Sequence, residues 1–510
     1  MSNGRENRAK LNIIFSLFGQ MVTLVCGLIV PKVLISNFGS EAYGATASIG
    51  QFLAYISLLE GGIGGVARAA LYKPLALNDK KAIGGILNEI QRFFRVIAMV
   101  FAIYVMILAC SFKYISHVQC FDWLSTFLLV IVISISTFSQ YYVGITYQVL
   151  LQAAQRTYIT QIFSSSVTIL NTVCVVILVA CHSNLIIVKL VSSIVFFIKP
   201  LGQYLYVKNK LHITKTNERN KSSLQQKWTG LGQHLAFFFH SNTDIAVLTI
   251  LSNLSYVAVY SVYNMIVSQV KNISTSFSTG MEALFGDMIA KNEMTTLHRT
   301  FNMYEALISF VSGLLFSVTS VMIIPFVKLY TRGIEDVNYI YPVFALLLVL
   351  ASYLSCIRTP YHSVTIASGH FKETKMAAYG EAIINILLSI VMVIKLNLLG
   401  VVIGTVAAVL FRTIYYVLYL SKNIIYRDVK LFLKRIMCNI GAISLIIFAG
   451  NFVVNICNVD NWFEWVLCSS IVCILALVVQ TITLFIFFND IANDVLSKIG
   501  LKFRKNKTNS

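Results

Sequence analysis

Charged side chains are scarce in this sequence. They make up 12% of its 510 residues, whereas hydrophobic residues make up 57%, and the mean hydropathy is +0.76. Ordinary globular domains carry about a quarter charged residues, so the composition excludes a soluble fold. Apolar runs long enough to cross a bilayer recur, for example Trp123 to Leu151 and Val466 to Phe488. Apolar and polar residues do not alternate in these runs as they do in the strands of a membrane β-barrel, so we predict an all-α, multi-pass membrane protein.

Signatures of enzyme and cofactor chemistry are absent as well. The ten cysteines are scattered along apolar runs without a C-x-x-C pair, which gives no sign of a zinc or redox site. The chain has no P-loop, no G-x-S-x-G and no H-E-x-x-H. We therefore predict a transporter rather than an enzyme, with no metal and no cofactor. The polar stretch Met1 to Lys10 leads into an apolar run that continues as a span, so we expect no cleavable signal.

An internal repeat organises the chain. A shift of 213 positions places Gly19 on Gly232 and Tyr43 on Tyr256, and apolar runs of one half fall on apolar runs of the other. Duplicated sets of membrane helices are typical of secondary transporters, whose substrate site lies between the two copies.

The apolar runs predict about 14 spans, of which span two covers 43–72 and span eight covers 256–285. They divide into two lobes of six helices and two further helices. The predicted parts are an N-lobe (1–207), a basic cytoplasmic linker (208–228), a C-lobe (229–422), spans 13 and 14 (423–490) and a basic cytoplasmic tail (491–510).

Lys and Arg predict the orientation of these spans. The predicted outer loops hold four of the 40 basic residues and the spans hold seven, which leaves 29 in inner loops and at inner helix edges. Basic residues are retained in cytoplasmic loops, so we predict that both termini are cytoplasmic. The net charge of +19 is then mainly an orientation signal and a contact with anionic lipid, and we predict no nucleic-acid partner.

Span eight carries a polar stripe. Seven residues recur at spacings of three and four, which places them on one face of a helix, and such a face must meet another helix or a water-filled cavity. The matching face of span two contains Ser48, Gln51 and Tyr55, and the glycine-rich run from Glu60 to Gly65 favours a bend or close packing. We predict that the two faces line one central cavity. The seven residues are Ser261, Asn264, Ser268, Lys271, Thr275, Ser278 and Glu282.

Several cations lie within predicted spans, where a charge costs roughly 3 kcal/mol or more. Permanent positive charge suits an anionic substrate, and Arg in particular suits phosphate. Two structural alternatives stay open: snorkelling to a helix end, and a buried pair of Lys271 with Glu60 or Glu282. The predicted substrate-binding cations are Lys271, Arg358, Arg68, Arg412 and Lys32.

Acidic and polar residues form a second set. Asp244 in span seven, Glu381 and Asn385 one turn apart in span eleven, and Thr405 in span twelve offer oxygen ligands that a hard cation prefers. A proton relay through Asp244 and a neighbouring histidine is a second interpretation, and hydrogen-bonded packing is a third. Coupling to Na⁺ or to H⁺ therefore stays open.

Short motifs resemble those of a known family. Gly19-Gln20, Pro31-Lys32 and Glu41 to Gly44 resemble the opening of polysaccharide flippases in the multidrug/oligosaccharidyl-lipid/polysaccharide exporter superfamily, and Ala367 to Lys372 and Asn397 to Gly400 are similar to its second half. The resemblance implies two six-helix lobes around a V-shaped cavity that opens to alternate sides. It also implies that cavity cations engage the pyrophosphate of a sugar repeat carried on undecaprenyl pyrophosphate, and that the four oxygen-bearing residues above form a sodium site.

We therefore predict a flippase of the bacterial cytoplasmic membrane that translocates a lipid-linked O-antigen (lipopolysaccharide) or capsule repeat unit by alternating access. Its expected partners are the lipid-linked oligosaccharide, the bilayer, and a polysaccharide polymerase or chain-length machinery. Three alternatives remain. One is a multidrug/cation antiporter of the same fold, against which the buried Lys and Arg argue. The others are a flippase for the peptidoglycan lipid precursor and a non-transporting scaffold or polymerase partner.

Overall fold

The computed structural model describes residues 2–60, 63–211, 242–276 and 278–487, and all regular secondary structure in these ranges is helical. Within these ranges, eleven helices are long and apolar enough to cross a membrane, or twelve if a bent pair is counted as one span. The predicted all-α membrane fold is confirmed. Twelve of the 14 predicted spans are recovered when the bent pair is counted. The seventh predicted span lies partly outside the described residues, and the eighth is broken into two helices.

The described helices belong to two compact units. Unit 1 comprises Met1–Ser261 and the short segment Gly333–Val337. Its elements are α1 (Ser2–Phe38), α2 (Ser40–Ala54), a 3₁₀ helix (Tyr55–Glu60), α3 (Ile63–Ala76), α4 (Lys80–Ser116), α5 (Trp123–Ser139), a π-helical turn (Gln140–Gly144), α6 (Ile145–Ala153), α7 (Thr157–Ala180), α8 (Leu185–Leu211) and α9 (Asn242–Leu251).

Unit 2 comprises Val262–Arg332 and Asn338–Ser510. The predicted linker lies mostly outside the described residues and the tail entirely so; the predicted domain boundaries stay predictions. The helices of unit 2 are most of α10 (Leu254–Thr275), then α11 (Ser278–Ala290), α12 (Met294–Tyr330), α13 (Pro342–Ile357), α14 (Thr359–Ala367), α15 (Phe371–Leu396), α16 (Leu398–Asn423), α17 (Val429–Cys457) and α18 (Trp462–Phe487).

Span eight is not the single helix predicted over 256–285. The prediction of a continuous helix is wrong, because α10 ends at Thr275 and α11 begins at Ser278. The hydroxyls of Ser274, Thr275 and Ser276 donate to carbonyls three or four residues back, at 2.9–3.0 Å. Such bonds compete with the helical ladder and bend or end a helix. In span two, α2 and α3 are bent by 50° on either side of residues 61–62, in keeping with the bend that the glycine-rich run predicted.

Aromatic side chains fill the core of each unit. In unit 1, Phe94 and Phe101 of α4 are buried and pack against the ring of Tyr141 in the π-helical turn. In unit 2, Phe301 of α12 meets Tyr361 of α14 edge to face, with 5.2 Å between the ring centroids. This geometry is the one that aromatic quadrupoles favour, and it fixes the position of the Tyr361 hydroxyl.

The segment Gly333–Val337 is held on unit 1 by a helix cap. The Asp336 carboxylate accepts hydrogen bonds from the Ser40 backbone N–H (2.6 Å) and hydroxyl (2.8 Å) at the start of α2. Gly39 precedes them at φ +84°, and a Cβ there would lie 3.3 Å from Asp336 Oδ2. Glycine thus allows both the left-handed backbone and the approach of the carboxylate.

Helices α15 and α16 approach each other closely through glycine. A Cβ on Gly404 would lie 3.1 Å from the Asn385 carbonyl oxygen and would overlap Ser389. Gly400, one turn earlier, lies against the backbone of Met392 and Val393 in the same way. Small residues at such positions let two helical backbones come into contact in a membrane, where packing supplies much of the association energy.

Replacing Gly404 with Ala should destabilise the protein by about 1–3 kcal/mol, because the added methyl group overpacks this contact. Gly441 on α17 is the matched control, since a Cβ there meets nothing within 4 Å. We expect Gly441→Ala to keep or slightly raise the melting temperature in detergent. Equal melting temperatures for the two variants would contradict the packing described.

Replacing Asp336 with Ala should remove the cap of α2 and cost about 1 kcal/mol. Thermal unfolding measures the loss, and the neighbouring exposed Glu335, changed to Ala, is the control. A cap that contributes nothing would give the two variants the same melting temperature.

Candidate functional site

Lys271 lies half buried on α10 and forms no ion pair with any residue that the structure describes. All seven residues of the predicted stripe are half buried. The hydroxyls of Ser261, Ser268 and Thr275 donate to carbonyls of their own helix, whereas Ser278 and Glu282 lie on α11 beyond the break. Glu282 accepts a 3.4 Å hydrogen bond from Ser363, and the suggested Lys271–Glu282 pair is not formed.

Two buried arginines share one carboxylate in unit 2. Arg358 Nη1 lies 2.6 Å from Glu381 Oε1, and Arg412 Nη1 is bonded to Glu381 Oε2. Arg358 lies where the span Pro342–Ala367 is interrupted between α13 and α14, next to Pro360, which cannot continue the helical ladder. Glu381 comes from α15 and Arg412 from α16, so three spans meet at this carboxylate.

The shared carboxylate leaves the cluster positively charged. Two guanidinium groups face one carboxylate, which gives a net charge of +1 before Lys271 is counted, and Lys271 interacts electrostatically with both Arg358 and Glu381. Arg412 also stacks over the Tyr416 ring at 5.3 Å. Arg358, Arg412 and Glu381 are 8%, 7% and 0% exposed. The snorkelling alternative therefore does not apply to Arg412, because its guanidinium is held inside the bundle.

The four predicted coupling residues are distributed over both units. Asp244 belongs to unit 1 and accepts a 2.8 Å hydrogen bond from Tyr260. In unit 2, Asn385 Nδ2 donates to Thr405 Oγ1 at 3.1 Å, and no hydrogen bond reaches the buried Asn385 Oδ1 within the described part of the chain.

Within the described ranges no three His, Cys, Asp or Glu side chains are grouped as metal ligands. The two histidines near Asp244, His234 and His240, lie outside the described residues. The coupling site stays a prediction.

The predicted residues of unit 1 make their own contacts. Arg68 Nη1 donates to Gln152 Oε1 of α6 at 2.8 Å, and Lys32 is half buried beside Pro31. The polar face of span two meets α9 through three hydrogen bonds. They join Ser48 to Thr249 (2.5 Å), Gln51 to the Asn242 side chain (2.6 Å) and Tyr55 to the Asn242 carbonyl (3.4 Å). That this face and the α10 stripe line one cavity, and that the five cations bind substrate, stay predictions.

Sequence reasoning missed a second carboxylate held by two arginines. Glu305 on α12 is 2% exposed and bonded to Arg427 (2.8 Å), to Arg435 of α17 and to the Tyr361 hydroxyl. Arg427 also lies 4.9 Å from the Phe301 ring centroid. The signal in the sequence was Glu305 itself, a single carboxylate near the start of an apolar span. Arg427 and Arg435 were interpreted only as part of the charge that orients the protein in the membrane. This cluster ties α17 to α12 and α14.

Comparison with known proteins shows which solved structures have a fold similar to that of this chain. No protein-family model and no curated protein sequence matches the chain. Solved structures with a similar fold do match. The lipid II flippase MurJ, in an inward closed conformation, is similar at a TM-score of 0.70 and 15% identity, over 94% of this chain and 99% of that one.

Two MATE transporters are similar over less of the chain. The eukaryotic AtDTX14 gives a TM-score of 0.56 at 13% identity, over 82% of this chain and 96% of its own. An inward-facing multidrug resistance MATE transporter of the MOP superfamily gives 0.54 at 15% identity, over 80% and 98%. Each of the two MATE structures is covered over nearly its whole length, whereas about a fifth of this chain has no counterpart in them. At such identities the likeness is one of fold.

Replacing Glu305 with Gln should destabilise the protein by about 3–5 kcal/mol, because Arg427 and Arg435 then lose the carboxylate that neutralises them. Thermal unfolding in detergent measures the loss. Glu293, which is exposed at the start of α12, changed to Gln serves as the control and should leave the melting temperature unchanged. A Glu305→Gln protein as stable as this control would show that the cluster does not hold the three helices together.

Proposed function

We propose that this protein is a flippase for a phosphate-bearing lipid-linked oligosaccharide. The observation that carries the proposal is the excess of positive charge around Lys271 within a fold like that of MurJ. Lys271 has no ion pair among the described residues, and Arg358 and Arg412 share a single carboxylate. Cations inside a membrane bundle are costly, so they are kept where function requires them. Phosphate oxygens are suitable partners for both kinds of cation.

A multidrug exporter of the same fold is the weaker candidate. A pocket for cationic drugs favours acidic and apolar residues, whereas the cluster in unit 2 has a net positive charge. The likeness to MATE transporters also extends over less of this chain than the likeness to the flippase does. Both observations favour a lipid-linked anion over a cationic drug.

The resemblance of the sequence motifs points to an O-antigen or capsule repeat unit on undecaprenyl pyrophosphate as the substrate. The likeness to a lipid II flippase favours a second candidate, the lipid precursor of peptidoglycan. The two substrates make the same demand on the cations described above, namely the recognition of a phosphate-linked head group. They differ in the pathway that fails when the protein is lost, which is surface polysaccharide in one case and the cell wall in the other.

In the proposed cycle the head group leaves the inner leaflet while the lipid tail stays in the bilayer. Lys271 neutralises the phosphate first, because it is the most accessible of the clustered cations and has no ion pair within the described residues. Arg358 and Arg412 are bound to Glu381, so they contribute only when the substrate competes with that carboxylate. Alternating access of the two lobes then delivers the head group to the outer leaflet.

Lys271→Glu should abolish translocation, since it replaces attraction for the phosphate by repulsion. We expect a loss of more than about tenfold in the flipping of a lipid-linked oligosaccharide in proteoliposomes, or roughly 1.4 kcal/mol of substrate interaction. Surface polysaccharide in a strain that depends on the protein gives the second readout. Lys271→Arg keeps the charge and should keep most of the activity.

The control for a change of charge alone is Lys395→Glu, because Lys395 is exposed at the end of α15. That variant should translocate at the rate of the unmodified protein. Normal translocation by Lys271→Glu, in protein that is membrane-inserted and has an unchanged melting temperature, would remove Lys271 from the substrate path.

A further inference from the structure

We propose that Arg358 and Arg412 take the place of a coupling cation at Glu381, so that this part of the protein accepts anions and does not bind sodium. The inference deepens the proposed function, because it concerns the same cluster. It departs from the sodium site that the sequence resemblance implied on Asp244, Glu381, Asn385 and Thr405. The residues present do not fit a sodium ion, for reasons of ligand availability, space and charge.

Ligand availability is the first reason. A hard cation replaces its water shell with several oxygens, among which carboxylates contribute most. Both oxygens of Glu381 already accept from guanidinium groups, Oε1 from Arg358 at 2.6 Å and Oε2 from Arg412. A cation at this carboxylate would compete with two charge-assisted hydrogen bonds, which are about twice as strong as neutral ones.

The other predicted ligands also form hydrogen bonds within the protein. Asn385 presents its amide nitrogen to Thr405, and the Thr405 hydroxyl in turn donates to the Val401 carbonyl at 3.1 Å. Asp244, in unit 1, accepts from Tyr260. Asn385 Oδ1 is buried and accepts no hydrogen bond from the described residues. One neutral carbonyl oxygen cannot replace the water shell of an ion.

Space around the carboxylate is the second reason. The Gly404 contact leaves no room between α15 and α16 at the level of Asn385, where even a methyl group would overlap Ser389. At Gly380, which precedes Glu381, a Cβ would lie 2.6 Å from the Phe411 ring. Helices α15 and α16 are therefore in close contact at both positions, so a hydrated ion between them would have to part the two helices.

Charge is the third reason. Arginine stays protonated in proteins, so the pair of guanidinium groups gives the Glu381 cluster a net positive charge in any physiological buffer. Lys271 interacts electrostatically with the same groups. A cation placed at Glu381 would be repelled at short range by both arginines and by Lys271. The low dielectric constant of the protein interior strengthens that repulsion. An anion that approaches the cluster would meet attraction instead.

The experiment compares cations by thermal unfolding of the purified full-length protein in detergent. Melting temperatures are measured in NaCl, KCl and choline chloride at equal ionic strength. We expect the unmodified protein to melt at the same temperature in all three salts. The double variant Arg358→Met, Arg412→Met leaves Glu381 without its guanidinium partners, and its melting temperature should rise with NaCl more than with KCl.

Two single variants keep the test decisive if the double variant does not fold. A saturable, sodium-specific rise in the melting temperature of the unmodified protein that Glu381→Gln abolishes would overturn the proposal. A sodium response that persists in Glu381→Gln lies elsewhere in the protein and agrees with it. Glu305→Gln is the matched control, since Glu305 is also held by two arginines but lies outside the predicted cation site.

The readout does not depend on transport. If the protein failed to flip any lipid-linked oligosaccharide, the proposed function would fall while the melting temperatures still decided the role of Glu381. If the protein flipped its substrate only in sodium, and Glu381→Gln removed the sodium response, the function would stand and this inference would fail.

Discussion

The structure of unit 2 depends on a single electrostatic constraint: an ion inside a membrane protein must find its counter-ion within the protein. Desolvation of a lone charge costs more than any one helix contact returns, so buried ions occur in pairs or larger clusters. Here one carboxylate is held by two arginines at two separate places, Glu381 and Glu305. Each cluster draws together helices that are distant in sequence, and each retains an excess positive charge.

Irregular backbone makes these clusters possible. The interruption beside Pro360 brings Arg358 to the junction of α13 and α14, and Gly404 lets α16 lie against α15 so that Arg412 reaches Glu381. The break between α10 and α11 likewise ends the polar face that carries Lys271. Departures from a regular helix are tolerated in a membrane only where protein surrounds them, and one of them places Arg358 against Glu381.

The two arginine clusters have different consequences. Glu305 joins α17 to α12 and α14, and its aromatic neighbours Phe301 and Tyr361 fill the space around it, which is what a structural cluster requires. Glu381 lies near Lys271, a cation that has no ion pair within the described residues. In the proposed function, that neighbour distinguishes the Glu381 cluster, which lies where a phosphate is expected to bind, from the Glu305 cluster, which only holds helices together.

Much of the fold followed from the sequence by itself. The length and spacing of its apolar runs determined an all-α membrane protein and, within the described residues, twelve of the predicted spans if the bent pair is counted as one, because lipid offers the backbone no partner other than its own helix. The same reasoning found Lys271, Arg358 and Arg412, since a charge inside an apolar run is conspicuous. It could not pair them: Glu381 was assigned to a cation site and Glu305 was passed over. Which carboxylate meets which arginine depends on the helix break beside Arg358 and on the packing of one span against another, and only the tertiary structure decided those.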